Sequence, residues 1–392
     1  MMKRRGFIRR FIFVTSFLSA LSVAIVSMTL FIWQQTDEGR LPAKTAVVLH
    51  AINNNLVSLD INIRPPKIVT GESGSPSLLR EDITIPVQGG SQIPARIYRP
   101  SGDGPHPIVI YYHGGAFLEG FGDLDTHNNI IRSLASRTNS IVIAPSYRVA
   151  PEYVFPTATE DSYSTLLWAQ DNAASLKGDP SKISVAGDSA GGNLATVVSM
   201  MSRDRNGPSI ASQVLLYPLT TFQDIPLASR EAYDSGYYLL SRSVMYKARD
   251  SYTPDEWMWN HSYTSPLQAD NLEDLPPALI VTAEFDPLRD EGEQYATRLH
   301  EAGVPVKATR YRGVMHGFVS FYEVMQSGRD GLQEASVFLR QVNNETLRIR
   351  DEYALQVKEP PKGFDKVRDH TEAFAIAAYL LGKSGADFLI VE

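Results

Sequence analysis

Short apolar runs separated by amphipathic stretches organise the chain from residue 81 onward. Ile83 to Val87, Ile93 to Tyr98, Ile108 to Tyr112, Ile141 to Ala144, Ile183 to Ala186, Val214 to Tyr217, Ala278 to Thr282 and Val306 to Tyr311 are compact and rich in Ile, Val and Tyr. Such runs predict buried strands, and the helical patterns between them predict a doubly wound, mostly parallel α/β sheet. The alternation fails at residues 221–262, an aromatic-rich insertion carrying Tyr233, Tyr237, Tyr238, Tyr246, Tyr252, Trp257 and Trp259 among Leu239, Leu240, Met245 and Met258. It also fails at both ends. Residues 42–80 begin with a helix-like pattern (Ala46, Val47, Leu49, Ile52) and run into the breakers Pro65-Pro66 and Gly71 to Pro76. Beyond residue 341, Glu359 to Gly363 reads as a linker and Glu372 to Leu381 as a short alanine-rich helix, too short to cross a bilayer.

Phe11 to Trp33 is a 23-residue stretch without a charge, preceded by Lys3, Arg4, Arg5, Arg9 and Arg10. Its length suits a helix crossing a hydrocarbon core about 30 Å thick. The competing reading is a cleaved signal peptide, with Ser22-Val23-Ala24 as the small residues at the cut. A signal's apolar core ends after about 7–15 residues, whereas this one continues to Trp33, which favours an uncleaved anchor. The basic cluster then stays in the cytoplasm and the rest of the chain lies on the far side.

Chemistry concentrates where four of the predicted strands end. Ile183 to Ala186 leads into Gly187-Asp188-Ser189-Ala190-Gly191-Gly192, a serine between glycines at a strand-to-helix turn. That is the pattern of a nucleophile elbow, in which the hydroxyl stands exposed above the sheet; alone it also fits an ordinary glycine turn. Ile108 to Tyr112 runs into His113-Gly114-Gly115-Ala116-Phe117, whose glycines let backbone amides approach a developing oxyanion. Gly114, Gly115 and Ala190 are the expected donors. Asp286 follows the run ending at Ala283, and His316 follows the run ending at Tyr311. The order Ser189, Asp286, His316 is that of α/β-hydrolases and not of chymotrypsin or subtilisin.

These elements resemble the hormone-sensitive-lipase-like branch of the α/β-hydrolases, which includes bacterial carboxylesterases and arylacetamide deacetylase-like enzymes. Tyr147 to Glu152, Phe155-Pro156, Glu160-Asp161, Ser265 to Leu267, Leu275 to Pro277 and Asp286 to Gly292 stand in that family's order, over roughly Ile83 to Val342. The resemblance implies an α/β-hydrolase fold with a helical cap, of which residues 221–262 are one segment. It implies a serine carboxylesterase acting on a small-molecule ester, with Ser189 as nucleophile, His316 as base and Asp286 as the orienting acid. An amidase or peptidase with the same machinery, or a binding protein on the same fold, are the alternatives. The expected organisation is an anchor over 1–35, a stalk or N-terminal cap segment over 36–80, a catalytic domain over 81–342, and an extension of unknown role over 343–392.

Composition narrows the rest. A net charge of −7, with no basic stripe outside the N-terminus, argues against a nucleic-acid partner. The absence of cysteine removes disulfides and thiolate sites. No cofactor is implied, and no His-Glu-x-x-His or similar cluster points to a metal. His113 is expected to shape its loop; His50, His106, His127, His261, His300 and His370 are expected to be surface or packing residues. Arg148, Glu160 and Asp161 are expected in ion pairs or caps, Asp188 as a structural acceptor, and Asp290 and Glu291 in a helix as dipole partners with surface ion pairs.

Overall fold

The computed structural model describes residues 2–56, 77–349 and 352–390. The breakers Pro65-Pro66 and Gly71 to Pro76 lie outside the described residues. The chain divides into two compact units, one combining 1–58 with 360–392 and the other spanning 59–359.

In the first unit, α1 (Met2–Trp33) is a continuous helix. Among the described residues, its Arg10–Trp33 stretch is the one helix long and apolar enough to cross a membrane. Phe13, Phe17 and Met28 leave 59–72% of their surface open. Thr15 and Ser22 donate their hydroxyls to carbonyls four residues earlier, both at 2.9 Å, so these polar groups are satisfied inside the helix. A two-residue antiparallel pair, β1 (Gln35–Thr36) with β2 (Gly39–Arg40), leads to α2 (Ala43–Asn53). The C-terminal helix runs Gly363–Ile390, far longer than the predicted Glu372 to Leu381. Its charged first turns are supported by pairs that helical spacing creates, with Arg368 reaching Asp365 at 3.5 Å and Glu372 at 3.9 Å. Val26 and Leu30 of α1, Ala43, Val47 and Ala51 of α2, and Ala373, Ala377 and Leu380 form this unit's apolar core.

The second unit is built on a nine-stranded sheet. Its strands are β3 (Leu78–Pro86), β4 (Gln92–Pro100), β5 (His106–Tyr112), β6 (Ile141–Pro145), β7 (Gly178–Asp188), β8 (Ser212–Leu216), β9 (Ala278–Phe285), β10 (Val306–Met315) and β11 (Gln356–Lys358), in the order β11-β10-β9-β8-β7-β5-β6-β4-β3. The β3–β4 and β4–β6 pairs are antiparallel, and every other pairing is parallel. Alternate residues of a strand face opposite sides. Ile108, Ile110, Ile183 and Val185 join one core with side chains of α4 (Thr157–Asn172), α5 (Ala190–Asp204) and α9 (Arg289–Glu301), while Val109, Tyr111, Val142 and Val214 are equally buried outside that core. Helices α3 (Asn128–Thr138) and α10 (Gln326–Asn343) pack on each other and bury Ile131, Leu134, Leu332 and Phe338. A sheet covered in this way needs continuous apolar strands, which is why the pattern was legible. Strand β11 comes from the segment expected to be pure extension. Its Lys358 lies 3.3 Å from the buried Glu334, which also accepts the Tyr311 hydroxyl at 2.7 Å.

Chain direction across the sheet reverses at β5, which has β6 on one side and β7 on the other. In open α/β sheets the crevice at such a reversal, beyond the strands' carboxyl ends, is where ligands bind. The 221–262 insertion lies between β8 and β9 and folds as α6 (Ala228–Ala232), α7 (Arg242–Tyr252) and α8 (Glu256–Trp259).

Candidate active site

Ser189 occupies the one-residue turn between β7 and α5, with φ 53° and ψ −118°. The glycines around it answer to close approach. A Cβ at Gly187 would stand 2.2 Å from the Gly191 carbonyl oxygen, and one at Gly191 would stand 1.9 Å from that of Tyr112. Any side chain there would push the turn apart, so the strained serine depends on both glycines.

His316 follows β10 and Asp286 follows β9, bringing residues 30 and 127 positions apart together. His316 Nδ1 is 2.8 Å from Asp286 Oδ2, and His316 Nε2 is 3.0 Å from Ser189 Oγ. Asp286 is fully buried, and its other oxygen accepts the Leu288 amide at 2.8 Å, so the carboxylate is held on both sides. A proton on Nδ1 facing Asp286 leaves the Nε2 lone pair for the serine hydroxyl. Burial pulls the His316 pKa down, but the charge and hydrogen bond of Asp286 outweigh it and leave it above 6.5. The Tyr217 ring stands edge-on to the imidazole at 5.1 Å and limits its rotation. This arrangement can strip a proton from Ser189 and return it to a leaving group.

The neighbouring acids are engaged elsewhere. Glu284 accepts the Gly313 amide at 2.7 Å and pairs with Arg312 at 3.1 Å. Asp290 accepts the Ser229 amide at 2.8 Å and pairs with Arg289. Glu291, expected in a surface ion pair, is instead fully buried. It meets Arg230 at 2.5 and 3.0 Å and accepts the Thr220 amide at 2.6 Å, because α9 turns this position inward beneath the insertion.

The loop expected to hold an oxyanion departs from expectation at one donor. The Gly114 amide donates to Asp188 Oδ1 at 2.9 Å and so is turned to the loop's support. Gly115 and Ala116, both at positive φ (131° and 54°), have amides that donate to no protein acceptor among the described residues. With the Ala190 amide at the start of α5, they are the donors left for an oxyanion. Asp188 also accepts the Tyr111 hydroxyl at 2.7 Å and contacts His127 Nε2 at 3.2 Å. Burial would raise the Asp188 pKa, but the His127 charge and these hydrogen bonds lower it, while Asp188 in turn holds His127 above its ordinary value against burial. His127 is therefore paired with the buried Asp188 under the loop and is not an isolated packing residue; local sequence carries no sign of a contact 61 positions away. His113 is pushed down to about 4 by burial, with His127 adding to the effect, and it stacks on Tyr147 at 4.5 Å. Tyr147 in turn donates to the His113 carbonyl at 2.6 Å, and Asp161 grips Arg148 at 2.7 and 2.9 Å just beyond.

A cavity of about 570 Å³, its mouth included, opens at Ser189. Ala116, Leu219 and Leu288 line it from the sheet side, and Leu240, Met245 and Tyr246 from the insertion. Most of the insertion's aromatics serve packing instead. Tyr252 stacks on Phe117 at 4.1 Å and Tyr238 on Phe285 at 5.1 Å, tying the insertion to the loop that follows β5 and to the end of β9.

Known proteins resemble this chain over the same region. The carboxylesterase NlhH of Mycobacterium tuberculosis is 40% identical over 272 residues, covering 68% of this chain and 82% of that one. An arylesterase of Saccharolobus solfataricus is 39% identical over 255 residues, covering 65% and 79%. Among solved structures, a hyperthermophilic esterase from the archaeon Pyrobaculum calidifontis superposes with a TM-score of 0.66 at 43% identity, covering 69% of this chain and 87% of that one. A family model described as α/β hydrolase fold matches residues 109–320, from the strand before the oxyanion loop to the turn after His316, and the chain belongs to that family, in its hormone-sensitive-lipase-like branch.

Proposed function

We propose that the protein is a serine carboxylesterase in which Ser189 is the nucleophile, His316 the proton shuttle and Asp286 the acid that orients it. The observation carrying this reading is a single imidazole placed between a strained serine at 3.0 Å and a buried carboxylate at 2.8 Å. Ser189 Oγ attacks the ester carbonyl as Nε2 takes its proton, and the alkoxide is met by the Gly115, Ala116 and Ala190 amides. Collapse expels the alcohol, which takes the proton from His316, and water resolves the acyl-enzyme by the same steps. Asp286 stays ionised throughout and favours the charged imidazole. The mostly apolar lining and limited volume support short to medium acyl esters, with the 221–262 insertion acting as a lid.

We further read α1 as an uncleaved anchor with the catalytic unit on the non-cytoplasmic side, supported by its apolar length and the basic residues before it. The functional test is turnover of p-nitrophenyl esters by Ser189→Ala and His316→Ala, alone and together. Each single variant loses several orders of magnitude and the double variant little more, because the pair acts as a unit. Wild-type-like turnover in Ser189→Ala, or failure of an organophosphate to label Ser189, defeats the assignment. Faster hydrolysis of C16 or C18 emulsions than of C4 to C6 esters defeats the size reading.

A further inference from the structure

We propose that the substrate is an anionic ester, one whose end remote from the reacting carbonyl carries a carboxylate, and that Arg249 of the insertion binds that group. This rests on the carboxylesterase reading and names its substrate class. Arg242, Met245, Tyr246 and Arg249 recur at spacings of three and four along α7, so they share one face of the helix, and all four line the cavity that opens at Ser189. The rest of that lining is mostly apolar. In such a pocket the few polar groups fix which way round a ligand sits.

The guanidinium groups around the cavity each have an acidic partner, but their donors are spent to different degrees. Arg230 gives Nε and Nη2 to Glu291 and Nη1 to the Gln223 carbonyl. Arg242 gives Nε to the Tyr246 hydroxyl at 2.9 Å and Nη2 to Asp224 at 3.2 Å. Asp224, a carboxylate in the same lining, is matched by these groups, since its other oxygen accepts the Tyr246 hydroxyl at 2.9 Å. Arg249 differs. Its Nε goes to Asp250 at 3.0 Å, a residue 62% exposed and outside the lining, and neither Nη has a protein acceptor among the described residues.

Two rings steady that charge. The Arg249 guanidinium carbon lies 4.2 Å from the centre of the Trp259 ring and 4.9 Å from that of Tyr246. The indole is itself pinned by donating to the Thr253 carbonyl at 2.7 Å. With Nε occupied, the two Nη atoms form a fork whose spacing fits both oxygens of a carboxylate. Arginine cannot shed its charge, so a neutral ligand end leaves this fork to water. Only 19% of the side chain is open, so a bound carboxylate is screened less than in a surface pair.

Two pairs of esters test this on the full-length protein. Monoethyl adipate beside its terminal amide puts the charge on the acyl part, and the butyrate ester of ω-hydroxyvalerate beside its terminal amide puts it on the alcohol part. Wild type is expected to prefer the charged member of at least one pair in kcat/KM, and that pair identifies the part reaching Arg249. Arg249→Gln is expected to lower the preference by about ten- to a hundredfold, the range of a hydrogen bond to a charged group, chiefly through KM. Arg249→Lys keeps the charge without the fork and is expected to retain part of it. An arginine with a merely structural role would weaken both members of a pair alike. Equal kcat/KM for charged and neutral members in wild type, or a preference that survives Arg249→Gln, overturns the inference. Hydrolysis of p-nitrophenyl butyrate with organophosphate labelling of Ser189 then leaves the carboxylesterase reading standing. Absence of both in wild type removes that reading and the inference with it. Where circular dichroism shows Arg249→Gln unfolded, the wild-type comparison and Arg249→Lys decide.

Discussion

At the scale of single residues, the charge of Asp286, 2.8 Å from His316, outweighs burial and keeps the imidazole pKa above 6.5. Base catalysis needs the neutral ring, so a raised pKa shifts the loss of activity on acidification to higher pH. The acid limb of kcat/KM is expected to have its midpoint above pH 6.5, and a midpoint below that value contradicts the electrostatics described. Asp286→Asn removes the charge and favours the wrong tautomer; turnover should fall by roughly four orders of magnitude, as loss of the acid does in the serine-protease template. Asp290→Asn and Glu284→Gln should cost far less, since their carboxylates hold Ser229 and Gly313 and do not touch His316. Equal damage from either variant, with the fold intact by circular dichroism, would reassign the acid.

Among the elements, the insertion depends on one buried pair. Arg230 of α6 and Glu291 of α9 bind each other, and Arg230 also donates to the carbonyls of Thr221 and Gln223 at 2.9 and 2.6 Å. Burial raises the Glu291 pKa even against the opposing charge of Arg230. Arg230→Met strands that carboxylate in a dry site and should destabilise the unit by about 3–5 kcal/mol, measured by chemical denaturation. Pairing it with Glu291→Leu removes the stranded charge and should recover much of the loss. If the double variant is no better than Arg230→Met, the pair is not what secures the insertion.

For the whole molecule, the expected arrangement is a catalytic unit tethered at a membrane surface. The full-length protein should stay in the pellet after alkaline carbonate washing, and protease added outside spheroplasts should reach the catalytic unit. Protection of that unit reverses the orientation read from Lys3, Arg4, Arg5, Arg9 and Arg10. A mature chain beginning near Ile25 by N-terminal sequencing shows cleavage in place of anchoring.

What the sequence determined by itself is what depends on near neighbours. Continuous apolar runs mark strands covered on both faces, so β5 to β10 were legible within a few residues, whereas the edge strand β3, with Ile83 and Ile85 among exposed polar neighbours, was legible from its alternation, and the elbow was legible because Gly187 and Gly191 must lack side chains for a turn one residue long. The serine, acid and histidine were legible from chain order at strand ends, where an α/β sheet gathers its site. Tertiary structure alone decided how groups far apart in sequence share their hydrogen bonds. Gly114 was expected to face the substrate together with Gly115, but its one amide proton goes to Asp188, 74 positions away, which leaves the Gly115 and Ala116 amides as the ones in this loop open to a ligand. Glu291 and His127 read as ordinary surface or packing residues because nothing local announces Arg230 or Asp188. The C-terminal helix exceeded its predicted length because its charged turns gain helical ion pairs and the contact with Lys44, support that a count of apolar positions does not register. Burial makes each such pairing decisive, since a buried polar group must find a partner wherever the fold supplies one.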